Sequence, residues 1–268
     1  MKRPITLALA LSLTASLGVL APATAEEPEG SATSAILLIG DGMSLAQIYS
    51  AEIFAEEVLG SSLAMPGIVD NAVTRTHSAD SMVTDSAAAG TAIHSGYKTD
   101  NGAINVLPDG AWTYTLGQAA QAAGKSVGVL STARMTHATP ASVYGHDADR
   151  DAENLVAEQM AEFMPEVALG GGARHFLPDG KRDDGRDIIA EMVDAGYTNV
   201  TDAAELAAVD TENTDHLLGL FTSSHMSYEI DRVNEAKSEP SLAEMTAAAL
   251  AVLDNDPDGF FVSIESGR

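Results

Sequence analysis

Three polar residues stand just after apolar runs and have side chains suited to binding a divalent metal ion. Asp41 follows residues 34–39, Thr139 follows the run that begins at residue 126, and Glu265 follows residues 260–264. In an α/β sheet, functional side chains gather beyond the carboxyl ends of the strands. Two carboxylates and a hydroxyl suit Mg²⁺, or Zn²⁺ once histidines join them. Taken singly, Asp41 fits a turn or a helix cap equally well.

Ser86 has the surroundings of a nucleophile. It lies among the small residues of positions 84–92, which predict a helix that begins at Asp85 or Ser86. Small neighbours leave space above the Ser86 hydroxyl, and a helix N-terminus favours an anion there. Those conditions are typical of phosphoryl chemistry. The alternative is a capping serine in front of a closely packed alanine helix.

Other catalytic signatures are missing from the sequence. No Gly-x-Ser-x-Gly surrounds Ser86, so acyl transfer lacks its local motif. No Gly-x4-Gly-Lys-Ser/Thr is present, which leaves a P-loop nucleotide hydrolase unsupported. The three glycines at 170–172 resemble a phosphate-binding loop, but a packing turn is the simpler interpretation.

Apolar runs alternate with helical periodicities, and this alternation predicts an α/β sandwich around a mostly parallel sheet. The run at 34–39 is expected to be a buried strand, and residues 178–185 are expected to form an exposed loop. Strands are predicted at residues 34–39, 67–76, 126–130, 167–169, 216–221 and 260–264. Helices are predicted at residues 45–58, 86–94, 116–123, 152–163, 188–195, 203–208 and 242–253.

Composition excludes several classes of function. The 268 residues include 39 Asp+Glu against 14 Lys+Arg, and the net charge is −25. Such a chain lacks the clustered basic residues that bind nucleic acid or an anionic membrane. With no cysteine, it has no disulfide, thiolate metal site or cysteine nucleophile. An acidic protein with an anionic substrate needs a local positive group.

Residues 1–25 have the pattern of a secretory signal peptide. Lys2 and Arg3 precede an apolar stretch at 5–20, and a small-x-small cleavage pattern ends at Ala25. The alternative is a membrane anchor, which requires an apolar run of about 20 residues. The stretch at 5–20 is shorter than that. We therefore expect a periplasmic or secreted protein with no membrane span once the signal is removed.

Several motifs together resemble the N-terminal part of the alkaline phosphatase family. The resemblance implies a three-layer sandwich with helices on both faces of the sheet. It also implies hydrolysis of phosphate monoesters through a phosphoserine, two zinc ions, one magnesium ion and a homodimer. The matching segments follow the family's order: LLIGDGM (37–43), THSADSMVTDSAAAGTA (76–92), KTDNGAI (98–104), VGVLSTARMTHATPASVYGHDADRD (127–151), LGGGARHF (169–176), GLFTSSHMSYEIDR (219–232) and FVSIESGR (261–268).

The resemblance implies roles for the matching residues near the metals. Ser86 corresponds to the nucleophile, which also binds zinc. Asp41 corresponds to the aspartate that bridges a zinc ion and the magnesium ion. Thr139 and Glu265 correspond to magnesium ligands.

The phosphate-binding residues follow from the same resemblance. Arg150, 13 positions after His137, corresponds to the arginine that grips the phosphate, and Asp85 to the acid that orients it. Position 137 is Asp in some members and His in others; here His137 is placed just beyond the direct magnesium ligands. Three further histidines match no metal-ligand position of the family and are expected to be surface or structural residues: His175, His216 and His225.

The family's remaining zinc ligands lie after the Glu265 motif. We therefore expect residues 26–268 to form a catalytic domain that is incomplete at its C-terminal end, and this chain alone to be nearly inactive. Two alternatives stay open. One is a non-catalytic periplasmic phosphate-binding or degenerate member that uses Arg150 and the magnesium cluster. The other is a phosphodiesterase or sulfatase of the same superfamily, although Ser86 lacks the Cys/Ser-x-Pro-x-Arg context of a sulfatase.

Overall fold

The computed structural model describes residues 32–65 and 72–267, and six strands in this part of the chain form one sheet. The strand order is β1-β6-β2-β3-β5-β4, and every neighbouring pair is parallel. The predicted signal peptide, residues 1–25, lies outside the described residues. The strands are β1 (Ala35–Gly40), β2 (Ser126–Arg134), β3 (Val167–Gly171), β4 (Thr198–Val200), β5 (Leu217–Leu220) and β6 (Phe260–Ser266).

Helices connect the strands, and most begin at a residue whose side chain caps the first turn. Ser44, Thr115 and Ser241 each form a capping box with the residue three positions on. The helices of the described residues are α1 (Leu45–Glu57), α2 (Ser86–Ser95), α3 (Leu116–Ala122), α4 (Ala138–Ala141), α5 (Glu153–Phe163), α6 (Ile188–Asp194), α7 (Ala203–Ala207), α8 (Glu229–Asn234) and α9 (Leu242–Leu253).

Helices cover both faces of the sheet, because successive strand residues point to opposite sides. Val129 and Ala168 belong to a core cluster with Val156 and Met160 of α5. The next residues along the same two strands, Leu130 and Leu169, belong to a second cluster with Met245 and Leu253 of α9. These two cores confirm the predicted α/β sandwich, and the sheet proves wholly parallel in the described residues.

β1 corrects one sequence expectation. The strand forms as predicted, but it is not buried: Ile36 and Leu38 are 53% and 69% exposed. β1 lies at the edge of the sheet and pairs with β6 on one side. A strand of a parallel sheet is normally covered on both faces. The prediction of burial from apolar character was therefore wrong for this strand.

Two further segments differ from the prediction. The strand predicted at residues 67–76 is not seen in its described part, residues 72–76, which has no regular structure. The loop at 178–185 is largely exposed, but Arg182 is buried within it. Its guanidinium donates to the backbone oxygens of Asn154 and His175 at 3.0 and 3.3 Å, and pairs with Glu158 at 2.7 Å. These bonds fasten the loop to the start of α5.

The sequence did not predict β4, α4 or α8. All three are short, at three to six residues, and such segments carry too few residues for a periodicity to be visible. Among the described residues, no helix is both long and apolar enough to cross a membrane.

Candidate active site

The sheet order brings three of the predicted site segments together. β6 lies between β1 and β2, and Glu265 is level with Ile39 on one side and Ser131 on the other. Asp41 follows β1 directly, and its backbone N–H donates to the Ser266 carbonyl at 3.1 Å. The carboxyl ends of three adjacent strands therefore form the floor of the site.

Glu265 is a buried carboxylate with an incomplete set of partners. It is 1% exposed, and its Oε2 accepts a hydrogen bond from the Ser131 hydroxyl. Its Oε1 is buried and has no hydrogen-bond partner among the described residues. Burial raises the pKa of the Glu265 carboxyl, the Ser131 and Thr139 hydroxyls oppose that rise, and nearby Asp41 adds to it. A buried carboxylate oxygen without a donor suits a cation.

Thr139 approaches the same region from the short helix α4. His137 precedes this helix, and Thr139 itself is 4% exposed. The Thr139 carbonyl accepts a hydrogen bond from the Ser142 hydroxyl at 2.7 Å. Asp41, Thr139 and Glu265 thus supply the hard oxygen atoms that the sequence predicted for magnesium. This donor set fits the ion.

Ser86 is the first residue of α2, but it does not cap the helix. Asp85 is the capping residue, and its Oδ1 accepts a hydrogen bond from the Ala88 N–H at 2.9 Å. The Ser86 side chain is therefore released from a capping role. Its Oγ lies 3.0 Å from Asp41 Oδ2 and donates to it. This contact joins the candidate nucleophile to the candidate metal site across 45 positions of sequence.

Asp85 uses its second oxygen to hold Arg150. Asp85 Oδ2 accepts from Arg150 Nη1 at 2.8 Å and from the Gly102 N–H at 3.0 Å. The backbone N–H of Arg150 donates in turn to the Gly102 carbonyl at 2.8 Å. Gly102 lies in the segment KTDNGAI (98–104), which resembles the family, but the sequence alone indicated no role for it. In the structure, its backbone orients both Asp85 and Arg150.

His137 holds the other end of the Arg150 guanidinium. Arg150 Nη2 lies 3.0 Å from His137 Nε2, which must accept because the guanidinium can only donate. Burial lowers the pKa of His137, and the charges of Arg150 and Arg134 lower it further. Because Nε2 accepts, the ring proton lies on Nδ1, which is buried and has no hydrogen-bond partner among the described residues. Each terminal nitrogen of Arg150 keeps one hydrogen for an anionic ligand.

Four of the candidate site residues line an open cleft of about 650 Å³. Asp41, Asp85, Ser86 and Thr139 line its polar end. Its other walls combine threonine and serine residues with apolar side chains from the β1–α1 connection, α1 and α2. The apolar residues include Met43, Ile48 and Ile93.

A cluster of polar residues next to His137 could not be predicted from the sequence. Arg134 donates through Nε and Nη2 to the two oxygens of Glu153 at 2.6 and 2.7 Å, and its Nη1 lies 2.5 Å from His225 Nε2. The His225 ring lies edge-on to His137 at 5.3 Å. Burial tends to raise the pKa of Glu153, but hydrogen bonds from Arg134 and Thr136 outweigh it and lower that pKa. No spacing rule links residues so far apart in the chain.

Two of the three histidines that were expected to be surface or structural residues are His175 and His216. His175 is 8% exposed, and its Nδ1 lies 2.9 Å from Asn154 Oδ1. His216 is half-buried, with its ring 5.0 Å from that of Tyr197. Within residues 32–65 and 72–267, no group of three or more His, Cys, Asp or Glu side chains is arranged to hold a metal ion. The described residues therefore do not fit a complete zinc site.

The glycines at 170–172 end β3 and allow close backbone packing there. The backbone N–H groups of Gly172 and Ala173 both donate to the Thr222 carbonyl, at 2.9 and 3.0 Å. A Cβ on Gly171 would lie 2.3 Å from the Ser224 carbonyl oxygen. Glycine is required here for close backbone packing, and these N–H groups are already engaged rather than directed at an anion.

Comparisons with known proteins agree with the fold. The family model for alkaline phosphatase matches residues 32–268. Alkaline phosphatase 3 of Bacillus subtilis is 36% identical over 245 residues, which cover 87% of this chain and 50% of that protein. The chain spans about half the length of the curated relatives it matches.

Solved structures give the same result. Thermus thermophilus alkaline phosphatase has a TM-score of 0.84 and 40% identity, covering 88% of this chain and 50% of that one. The enzyme from the Antarctic bacterium TAB5 was solved as a histidine-to-aspartate variant with Mg bound in its M3 site; it has a TM-score of 0.71 and 28% identity, covering 87% of this chain and 64% of that one. By sequence and by fold, the chain belongs to the alkaline phosphatase family.

Proposed function

We propose that this chain is the part of an alkaline phosphatase that carries the nucleophile, Ser86, and the phosphate-binding arginine, Arg150. The reaction is hydrolysis of phosphate monoesters through a phosphoserine intermediate. The single observation that carries the proposal is the contact between Ser86 Oγ and Asp41 Oδ2 at 3.0 Å, which joins a serine at a helix N-terminus to the strand-end carboxylates.

Ser86 Oγ forms the new bond to phosphorus, and the ester oxygen leaves as the alcohol or alkoxide. Arg150, held by Asp85 and His137, binds two oxygens of the phosphoryl group through the hydrogens that remain free on Nη1 and Nη2. The dianion is otherwise repelled by an acidic protein, so this positive group is the local attraction for it. Water then cleaves the phosphoserine and releases inorganic phosphate. Positioning and charge neutralisation provide most of the catalysis in such transfers.

The metal ions belong to the proposal as well. Asp41, Thr139 and Glu265 would hold Mg²⁺, and the Mg bound in the M3 site of the TAB5 variant, a relative of this chain, supports that choice of ion. Asp41 and Ser86 would contribute to zinc, with two zinc ions expected in the whole protein. When bound, these ions would supply positive charge that favours the deprotonated serine and the leaving oxygen.

The substrate class is tested with three chromogenic esters and the full-length protein at alkaline pH with Zn²⁺ and Mg²⁺. We expect p-nitrophenyl phosphate to be hydrolysed fastest. Faster turnover of bis(p-nitrophenyl) phosphate would favour the phosphodiesterase alternative, and faster turnover of p-nitrophenyl sulfate the sulfatase. Phosphate binding without any turnover would favour the non-catalytic alternative.

Glu265→Gln is expected to weaken magnesium binding by at least about 100-fold, since even residues beyond the direct ligands cost 10–100-fold. The amide keeps the shape of the side chain but removes the charge that an ion needs. Calorimetric titration of the full-length protein with Mg²⁺ measures the change. Glu162→Gln, an exposed residue of α5, is the matched control. Unaltered magnesium binding in the Glu265 variant would contradict the strand-end metal site.

Location and assembly complete the proposal. The signal-like residues 1–25 support a periplasmic or secreted protein, and the family resemblance supports a homodimer. Phosphate monoesters and inorganic phosphate are the proposed ligands.

A further inference from the structure

His94 is a fully buried histidine that the proposed chemistry does not use. It lies in α2 two helical turns after Ser86 and is 0% exposed. Its Nδ1 lies 2.9 Å from Ser142 Oγ and 3.0 Å from the Gly90 carbonyl, and its Nε2 lies 3.0 Å from Ser263 Oγ. One side chain therefore connects α2, α4 and β6.

The direction of each hydrogen bond in this network follows from its partners. The Gly90 carbonyl can only accept, so His94 Nδ1 carries the proton. The Ser142 hydroxyl donates to the Thr139 carbonyl at 2.7 Å and is left to accept from His94. His94 Nε2 then accepts from the Ser263 hydroxyl. Burial lowers the pKa of His94 to about 4, which agrees with a neutral ring.

The network ends beside two proposed magnesium ligands. Ser263 lies two positions before Glu265 on the same face of β6. Ser142 bonds the carbonyl of Thr139 itself. The helices must also approach closely, since a Cβ on Gly90 would lie 2.5 Å from Ser142 Oγ. His94 thus sits where the nucleophile helix meets both ligand-bearing segments.

We propose that His94 is a positioning residue: it fixes Glu265 and Thr139 relative to Ser86 and so sets the affinity of the site for magnesium. The inference takes the magnesium ion from the proposed function, whereas the hydrogen bonds of His94 are independent of that function. A histidine that merely fills the core would affect stability alone. A positioning histidine affects stability and metal affinity together.

Ser263→Ala is the most conservative test, because it removes only the hydroxyl that His94 accepts from. In the full-length protein we expect magnesium affinity to fall about 10-fold by calorimetry, as for other residues just beyond the ligands. We expect kcat to fall with little change in KM, because Arg150 holds the substrate from outside this network. His94→Gln, which also removes the contacts of His94 with Gly90 and Ser142, should lose at least as much. The double variant should lose no more than His94→Gln alone, since the bond between residues 94 and 263 is already absent in that single variant.

Tyr197→Phe is the matched control. It also removes one buried hydroxyl, which donates to the Pro165 carbonyl at 2.6 Å away from the strand ends. We expect it to lower the melting temperature without changing magnesium affinity. Wild-type magnesium affinity in folded Ser263→Ala and His94→Gln proteins would overturn the inference. The wild-type full-length protein could also prove to have no phosphomonoesterase activity while the two variants still bind magnesium more weakly than it does. That result would overturn the proposed function and leave the positioning role of His94 standing.

Discussion

Ser86→Ala is expected to abolish the covalent phosphoenzyme and to lower phosphomonoester turnover by at least roughly 10⁴-fold. Ser86 Oγ is the atom that would form the bond to phosphorus, and alanine offers no substitute. Its loss leaves Arg150 and the Asp85 contact intact, so phosphate binding should survive. The measurement is acid-stable radiolabel on the full-length protein after brief incubation with a labelled phosphate donor at low pH.

The same helix provides a matched control for this experiment. Ser95, the last residue of α2, donates its hydroxyl to the Thr91 carbonyl at 2.7 Å and lies far from Asp41 in the helix. Ser95→Ala should keep both the label and the turnover. Label retained on the Ser86 variant would refute Ser86 as the nucleophile and favour another residue of the cleft.

The second large effect concerns the 268-residue chain by itself. We expect it to hydrolyse phosphomonoesters hardly at all, even with Zn²⁺ and Mg²⁺ supplied. Catalytic zinc normally needs about three protein ligands, and the described residues contain no group of three candidate side chains. Asp41 and Ser86 alone do not make such a site. Without zinc, the Ser86 hydroxyl has no strong reason to lose its proton.

The comparison protein for this experiment is the full-length form, assayed at the same molar concentration and alkaline pH. Size-exclusion chromatography must accompany the assay, because exposed apolar residues such as Ile36, Leu38 and Leu45 favour self-association. Zinc content by mass spectrometry separates loss of metal from loss of fold. Comparable turnover from a soluble 268-residue chain would show that its own residues complete the zinc sites.

The sequence predicted the parts of the fold that local chemistry determines. Helices with strong caps, such as the one after Ser44, begin at the predicted residue. Glu265 was expected beside Asp41 and Thr139 because each follows an apolar run, and adjacent strands do bring the three segments together. The resemblance paired Asp85 with Arg150, and their side chains lie 2.8 Å apart. The catalytic and metal-binding roles of these residues stay predictions.

What the sequence missed depends on contacts between distant segments. The apolar character of β1 says nothing about what covers it, so its exposure could not be predicted. Residues 72–76 alternate like a strand but find no partner strand in the described part of the chain. Arg134 and Glu153 meet only because β2 and α5 pack together. His94 carries no motif, and its three partners come from α2, α4 and β6.

The pairing of β1 with β6 has a consequence for biosynthesis. The Phe260 N–H donates to the Ser34 hydroxyl across 226 positions of chain. At about 5–20 residues per second, a ribosome takes roughly 10–45 s to make that length. The apolar run AILLIG, which forms β1, is therefore synthesised long before β6 and stays unpaired until β6 has been made. Closing so long a loop also slows folding. Until β6 is made, the unpaired apolar edge of β1 favours aggregation of the nascent chain.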